Sequence, residues 1–258
     1  MLLAINVQNS AIALGCFDNA GGLRMVARIA AEPEHTADQY ACEIDSVLRL
    51  RGYAASEIYG AVLCSVVPSL SMVLYDAVRI LCGCEAVNVA SGVKTGLSIQ
   101  IDNPRALGSD LVCVAVEAAA QGRLPALVID MNTAVTFTAL DKRGVLVGSI
   151  IAPGVHIGLD ALHEKAAQLP SISLSRSNCR LLGKNTVDAM ASGVLNGAAS
   201  MIDGMIARCR EQLGDDLTVY LTGTDASLAA DYLHEQVCRM DDMVLYGLHR
   251  IWIKNRKK

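Results

Sequence analysis

Aromatic residues are scarce in this 258-residue chain: only 4% of it is Phe, Tyr or Trp, although 52% is hydrophobic. A core without rings must be filled by aliphatic side chains and alanine, and a Val, Ile and Leu sheet under Ala-rich helices suits that mixture. Long apolar runs are also missing. None approaches the roughly 18 residues of a membrane span, so no membrane association is expected. The opening MLLAINV carries no basic leader and runs straight into a strand pattern, which reads against a signal peptide and for a cytoplasmic protein. Positive charge is not in excess either: the formal net charge is −4, which argues against nucleic acid as a partner. The basic end KNRKK reads as the solvated end of a helix, where Lys and Arg suit the dipole. An even set of cysteines is lacking too. There are nine, and most sit inside apolar runs, such as Cys64 in AVLCSVV and Cys113 in DLVCVAV. They read as small hydrophobes in a reducing compartment. Cys82 and Cys84 have CxC spacing, without a second cluster or nearby His to complete a metal site.

What is present is an alternation of strands and helices that begins twice. Residues 2–7 and 11–17 read as two strands with a tight connection, and the turn DNAGG leads to a third strand near 23–30. Thr36 and Gln39 form a capping box ahead of a helix whose Ala37, Tyr40, Ala41, Ile44, Val47 and Leu48 share one face. A strand at 58–64, a helix opened by Pro68, a short strand near 86–89 and an Ala-rich helix at 110–121 follow. The pattern then restarts with strands at 126–131 and 134–140, the turn DKRG and a strand at 145–152. Helical residues 184–212, a buried strand at 217–223 and helices near 225–235 and 243–253 complete the chain. INVQNSAIAL in the first half lies over IDMNTAVTFTAL in the second, each placing a polar residue at the end of a buried strand. The recurrence reads as a duplicated α/β domain, with halves at 1–118 and 119–258.

Turns of small polar residues between strands present backbone N–H groups and hydroxyls to an anion. Two of them, with a Gly-containing turn at 222–224, suit a nucleotide held between the halves. That order of turns resembles the sugar kinase, heat-shock ATPase and actin superfamily. The narrower resemblance rests on MLLAINVQNS, SVVPSL at 65–70, GVKTGL at 92–97, DNPRALGSD at 102–110, IDMNTAVTF at 129–137, IAPGVHIGLDAL at 151–162 and GKNTVDAMASG at 183–193. In order and spacing these are similar to type III pantothenate kinases. The resemblance implies two ribonuclease-H-like domains with a nucleotide cleft between them, usually paired as a homodimer. It implies ATP-dependent phosphorylation of pantothenate, the first step toward coenzyme A, with Mg²⁺ and a monovalent cation such as K⁺. On the residues alone, Asp110 reads as a capping side chain at a helix start. The resemblance makes it the candidate base, with Gly108 and Ser109 beside it in the acceptor pocket. It also matches Asp130 to a cation-site carboxylate, Thr133, Thr136 and Gly223 to the phosphate loops, and Thr186 to a threonine that reaches pantothenate in the neighbouring protomer.

The departures from the family pattern fall on those same loops. The first loop, Asn6 to Ser10 with Asn9 between, has Asn6 where the family has an aspartate and Gln8 where it has a glycine. Asn is neutral and cannot offset divalent charge as a carboxylate does, and a long side chain crowds the approach of phosphate. Asn132 and Thr224 stand at two further family glycines. On the acceptor side Leu111 takes the place of an arginine and Ile101 that of a tyrosine, and Leu cannot make charge-assisted hydrogen bonds to a carboxylate. Three functions fit: a catalytically depleted member that serves as a heteromeric partner of an intact paralogue, an active pantothenate kinase with unusual loops, or a kinase-like enzyme for another small acceptor.

Overall fold

The computed structural model describes residues 1–174 and 179–256; Lys257 and Lys258 of the basic end lie outside them. The chain divides into two units. The first opens with β1 (Leu2–Val7), β2 (Ala11–Phe17) and β3 (Leu23–Ala30), followed by α1 (Ala37–Leu50), β4 (Gly60–Ser65), α2 (Pro68–Cys82), β5 (Ala86–Asn88) and α3 (Ser109–Gln121). The capping box forms as the sequence predicts: Gln39 N donates to Thr36 Oγ1 at 3.3 Å, and Thr36 N donates to Gln39 Oε1 at 2.8 Å. Pro68 opens α2 at its first turn, where its missing N–H costs nothing, and Gly83 closes that helix in the left-handed region.

The first sheet has the order β3-β2-β1-β4-β5, with β1 antiparallel to β2 and parallel to β4. Alternation along β1 sends Leu3, Ile5 and Val7 into a core with Tyr40, Ile44 and Leu48 of α1 and Leu70 and Leu74 of α2. Cys16, Cys64 and Cys113 are buried, and burial pushes the Cys16 thiol up to about 11, as suits a small hydrophobe rather than a reactive group.

The second unit repeats this plan. It contains β6 (Ala126–Met131), β7 (Ala134–Leu140), β8 (Leu146–Pro153), α4 (Val155–Lys165), α5 (Thr186–Leu213), β9 (Thr218–Thr222), α6 (Ala226–Ala229) and β10 (Cys238–Arg239). Its sheet runs β8-β7-β6-β9-β10, the same order as the first, with the same strand directions. Even the register shift near the end of the hairpin recurs, at Cys16/Phe17 in one sheet and Ala139/Leu140 in the other. Leu127, Ile129 and Met131 of β6 pack with Ile202 and Ile206 of α5.

Three features differ from the sequence reading. The helix expected near 225–235 is a single turn, α6, continued by a 3₁₀ turn at Ala230–Tyr232 and then by β10. Two exposed residues pairing with Tyr220 and Leu221 leave no period to detect. The helix α4 leaves little periodic signal in the sequence, since only Val155 and Leu159 of it are buried. The last helix, α7 (Met243–Asn255), belongs to the first unit rather than to the half that precedes it, and residues 98–101 belong to the second. The reason is packing. Along α7, Leu245 reaches Gly15 of β2, Trp252 reaches Gly60 of β4, and Gly247 lies so close to Cys113 of α3 that a Cβ there would be 2.9 Å from its Cα. Among the described residues no helix is long and apolar enough to cross a membrane.

Candidate functional site

In open α/β sheets ligands collect at the carboxyl ends of the parallel strands, and each unit brings its polar residues to that end. In the first unit Asn6 is the fifth residue of β1, 4% exposed, in register with Ala13 of β2 and Cys64 of β4. The Cys64 thiol donates to Asn6 Oδ1 at 3.2 Å. The following turn is held by Gln8 N donating to Ala11 O at 3.0 Å and Ala31 N donating to Ser10 O at 3.2 Å, with Gln8 half-buried and Asn9 and Ser10 exposed. The start of α3 is pinned to the same end, since Ser109 Oγ donates to Ser65 O at 3.1 Å. That bond sets Asp110 in the first turn of α3. Its Oδ1 accepts from Leu111 N at 2.9 Å, and a Cβ on Gly108 would meet the same oxygen at 2.5 Å. Burial pushes the Asp110 carboxyl above its usual range, and the backbone bond from Leu111 opposes this only in part.

In the second unit Asp130 is likewise the fifth residue of its strand and 5% exposed. Its register partners are Thr136 of β7 and Thr222 of β9, so a carboxylate and two hydroxyl residues share one face. The two units thus carry equivalent rows of different chemistry: Ala13, Asn6 and Cys64 in the first, Thr136, Asp130 and Thr222 in the second. Beyond the strands, Gly223 has φ +103° and leaves no room for a side chain, because a Cβ would lie 2.5 Å from Met131 N and 2.6 Å from Asp130 Oδ1. Gly154, at the head of α4, donates its N–H to Thr133 O at 3.1 Å. The sequence-predicted residues Asp130, Asn132, Thr133, Thr136 and Gly223 therefore meet at one end of the second sheet. Asn132 joins them to the loop after β9, donating from Nδ2 to Asp130 Oδ1 at 2.6 Å and accepting from Thr224 N at 3.0 Å.

The acceptor-side residues lie on separate elements of the two units. Leu111 is 5% exposed within the packed face of α3. Ile101 ends a short segment that runs along the second sheet, where Gln100 N donates to Leu146 O at 2.8 Å. Thr186 is exposed at the start of α5, and the neighbouring Asn185 does the capping, its Oδ1 accepting from Asp188 N at 2.9 Å.

Five residues near these loops are not assigned a site role by the sequence: Cys64, Ser65, Thr222, Asp225 and His156. Cys64, Ser65 and Thr222 are placed by strand register, which a duplicated repeat would have supplied had β4 and β9 been aligned as well as the hairpins. Asp225 faces His156 of α4 at 3.5 Å, and burial raises its carboxyl while the imidazole opposes that rise. Nothing in the local sequence marks that pair.

Phosphoryl transfer requires a divalent cation and donors for the phosphates. Asp130 with its flanking threonines fits a cation that also binds phosphate, since such a cation takes one or two carboxylates and completes its shell from the phosphates. The equivalent row around Asn6 supplies no charge, and no cluster of three acidic, His or Cys ligands occurs among the described residues.

Comparison with known proteins agrees with this geometry. Residues 2–208 match the family model for type III pantothenate kinase. The type III pantothenate kinase of Moorella thermoacetica is 38% identical over 257 residues, covering 99% of this chain and all of that one. That of Geotalea uraniireducens is 34% identical over 258 residues, with both chains covered in full. Among solved structures, component A of the (R)-2-hydroxyglutaryl-CoA dehydratase of Acidaminococcus fermentans superposes with a TM-score of 0.56 at 14% identity, over 96% of each chain. That likeness identifies the fold, two ribonuclease-H-like domains of the actin-like ATPase class.

Proposed function

The chain belongs to the type III pantothenate kinase family, and we propose that its own phosphotransfer site is depleted while it serves an intact paralogue as a partner subunit. The observation that carries the first half is the row Ala13, Asn6 and Cys64. Where the duplicated row offers a carboxylate between two hydroxyls, this one offers a neutral amide whose oxygen accepts a hydrogen bond from a thiol. Loss of one preorganised electrostatic contact costs about 10²–10³ in rate.

The family reaction passes a phosphoryl group from ATP to the hydroxyl of pantothenate. ATP with Mg²⁺ supplies that group and a counter-charge for it. For the chain's own residues, Asp110 accepts the acceptor's proton, and its raised carboxyl suits a base more than an ordinary aspartate would. Asp130, Thr133 and Thr136 would hold a bound cation and the phosphates from the second unit, with K⁺ a further candidate for Asp130. Leu111, buried, contributes packing and no charge to the acceptor's carboxylate.

Thr186 supports the partner role. Its hydroxyl is not needed for capping, because Asn185 caps α5, and exposed Leu181, Leu182 and Val187 lie close to it in sequence. A homodimer would present the same surface. The retained carboxylates Asp110 and Asp130 favour a second reading, an active kinase with unusual loops. An ADP-release assay on the isolated chain, with saturating ATP, Mg²⁺, K⁺ and pantothenate, separates the two. Turnover at least about 100-fold below an intact relative is expected, and ordinary turnover refutes the depletion. Light scattering of the chain mixed with an intact paralogue should show a heteromer. Thr186→Ala should slow that heteromer without dissociating it.

A further inference from the structure

Asn132 uses its whole side chain on two other segments of the second unit. Nδ2 donates to Asp130 Oδ1 at 2.6 Å. Oδ1 accepts twice from Thr224, from its backbone N–H at 3.0 Å and from its hydroxyl at 3.1 Å. Thr224 is an exposed residue in a loop that follows a buried strand, and such N–H and O–H groups are the donors that a phosphate oxygen uses. Asp130 Oδ1 is the acceptor that a cation would use. One amide therefore places partial positive charge on the carboxylate and a carbonyl oxygen on the loop donors. A bound cation and phosphate oxygen would present the same pair of charges in the same order.

We propose that Asn132 is an internal stand-in for that cation and phosphate oxygen, holding the turn after β6 to the loop after β9 until a nucleotide displaces it. This rests on the reading of the turn as a nucleotide site. The fold does not depend on the bridge, since the two segments are also joined by Asp225 N donating to Met131 O at 3.0 Å, and the turn itself is closed by Asn132 N donating to Ala134 O at 3.0 Å. Removing the amide thus takes away the bridge and leaves the backbone frame. A stand-in has an unusual signature: it stabilises the ligand-free protein and opposes the ligand, because its bonds must be given up on binding.

The test compares wild type with Asn132→Ala and Asn132→Gly, by calorimetric titration with ATP and Mg²⁺ and by melting with and without that nucleotide. Without nucleotide both variants should melt about 2–4 °C lower. With it they should bind about tenfold more tightly, the equivalent of one net hydrogen bond no longer broken, and show a larger rise in Tm than wild type. The Ala variant keeps the ordinary backbone preference, so agreement between the two excludes an effect of glycine flexibility. Equal or weaker binding by Asn132→Ala, with wild type binding normally, overturns the stand-in and leaves the nucleotide site in place. If neither wild type nor variants bind ATP, the nucleotide reading falls and the proposal falls with it.

Discussion

Replacing Arg250 by Met tests why the C-terminal helix belongs to the first unit. Glu117 on α3 is 1% exposed, and Arg250 on α7 meets it with two bonds, Nε to Oε2 at 2.5 Å and Nη2 to Oε1 at 3.3 Å. Breaking a buried pair from one side costs about 3–5 kcal/mol, since the remaining charge stays out of water. The Arg250 side chain is 40% exposed, so solvent softens the loss and the lower end applies, about 3 kcal/mol. For a chain of this size that lowers Tm by about 6–12 °C. Methionine keeps much of the apolar stem, which separates the charge from lost packing. Chemical denaturation of Arg250→Met, Glu117→Met and the double variant completes the cycle. The double variant should recover to within about 1 kcal/mol of wild type, because two apolar side chains of similar volume substitute well for a buried pair. A loss under about 1 kcal/mol for Arg250→Met, or a double variant no better than the single one, refutes the argument.

Asp110→Asn should reduce the chain's residual turnover by about 10²–10⁴ and stabilise the fold at neutral pH. Burial raises the Asp110 carboxyl in the folded state. The native protein therefore binds more protons than the unfolded chain between the ordinary and the raised value, and wild-type stability falls as pH rises through that window. The gain in Tm from Asn should appear above it and vanish in acid, and a gain that persists in acid contradicts the assignment. Leu111→Arg, which returns the family's arginine, should cost several kcal/mol, because residue 111 is buried and a guanidinium there leaves water. Wild-type stability of that variant in a urea melt would show that the side chain is not confined to the core.

The strand-end positions of the candidate residues are legible in the sequence. The hairpin ends INVQN and IDMNT put Asn6 and Asp130 at equivalent strand positions, and register confirms the equivalence down to their neighbours. The Thr36 and Gln39 box was legible because both partners lie within one turn of chain. The nature of Asn132 was not. Its sequence position marks a lost glycine, while its bonds to Thr224, 92 residues away, turn that loss into a bridge.

Short-range chemistry, then, was decided by the sequence alone: strand alternation, the capping box, the duplicated turns, and the neutral residue at the end of β1. Each depends on residues within a few positions of one another, so period and spacing carry it. Tertiary structure decided the rest. Leu111 became core because of what α3 packs against, and α7 joined the first unit because Gly247 allows it close to Cys113 and because Arg250 meets Glu117 across 133 residues. Long-range partners are chosen by complementary surfaces once the sheets exist, and no local pattern in the chain records that choice.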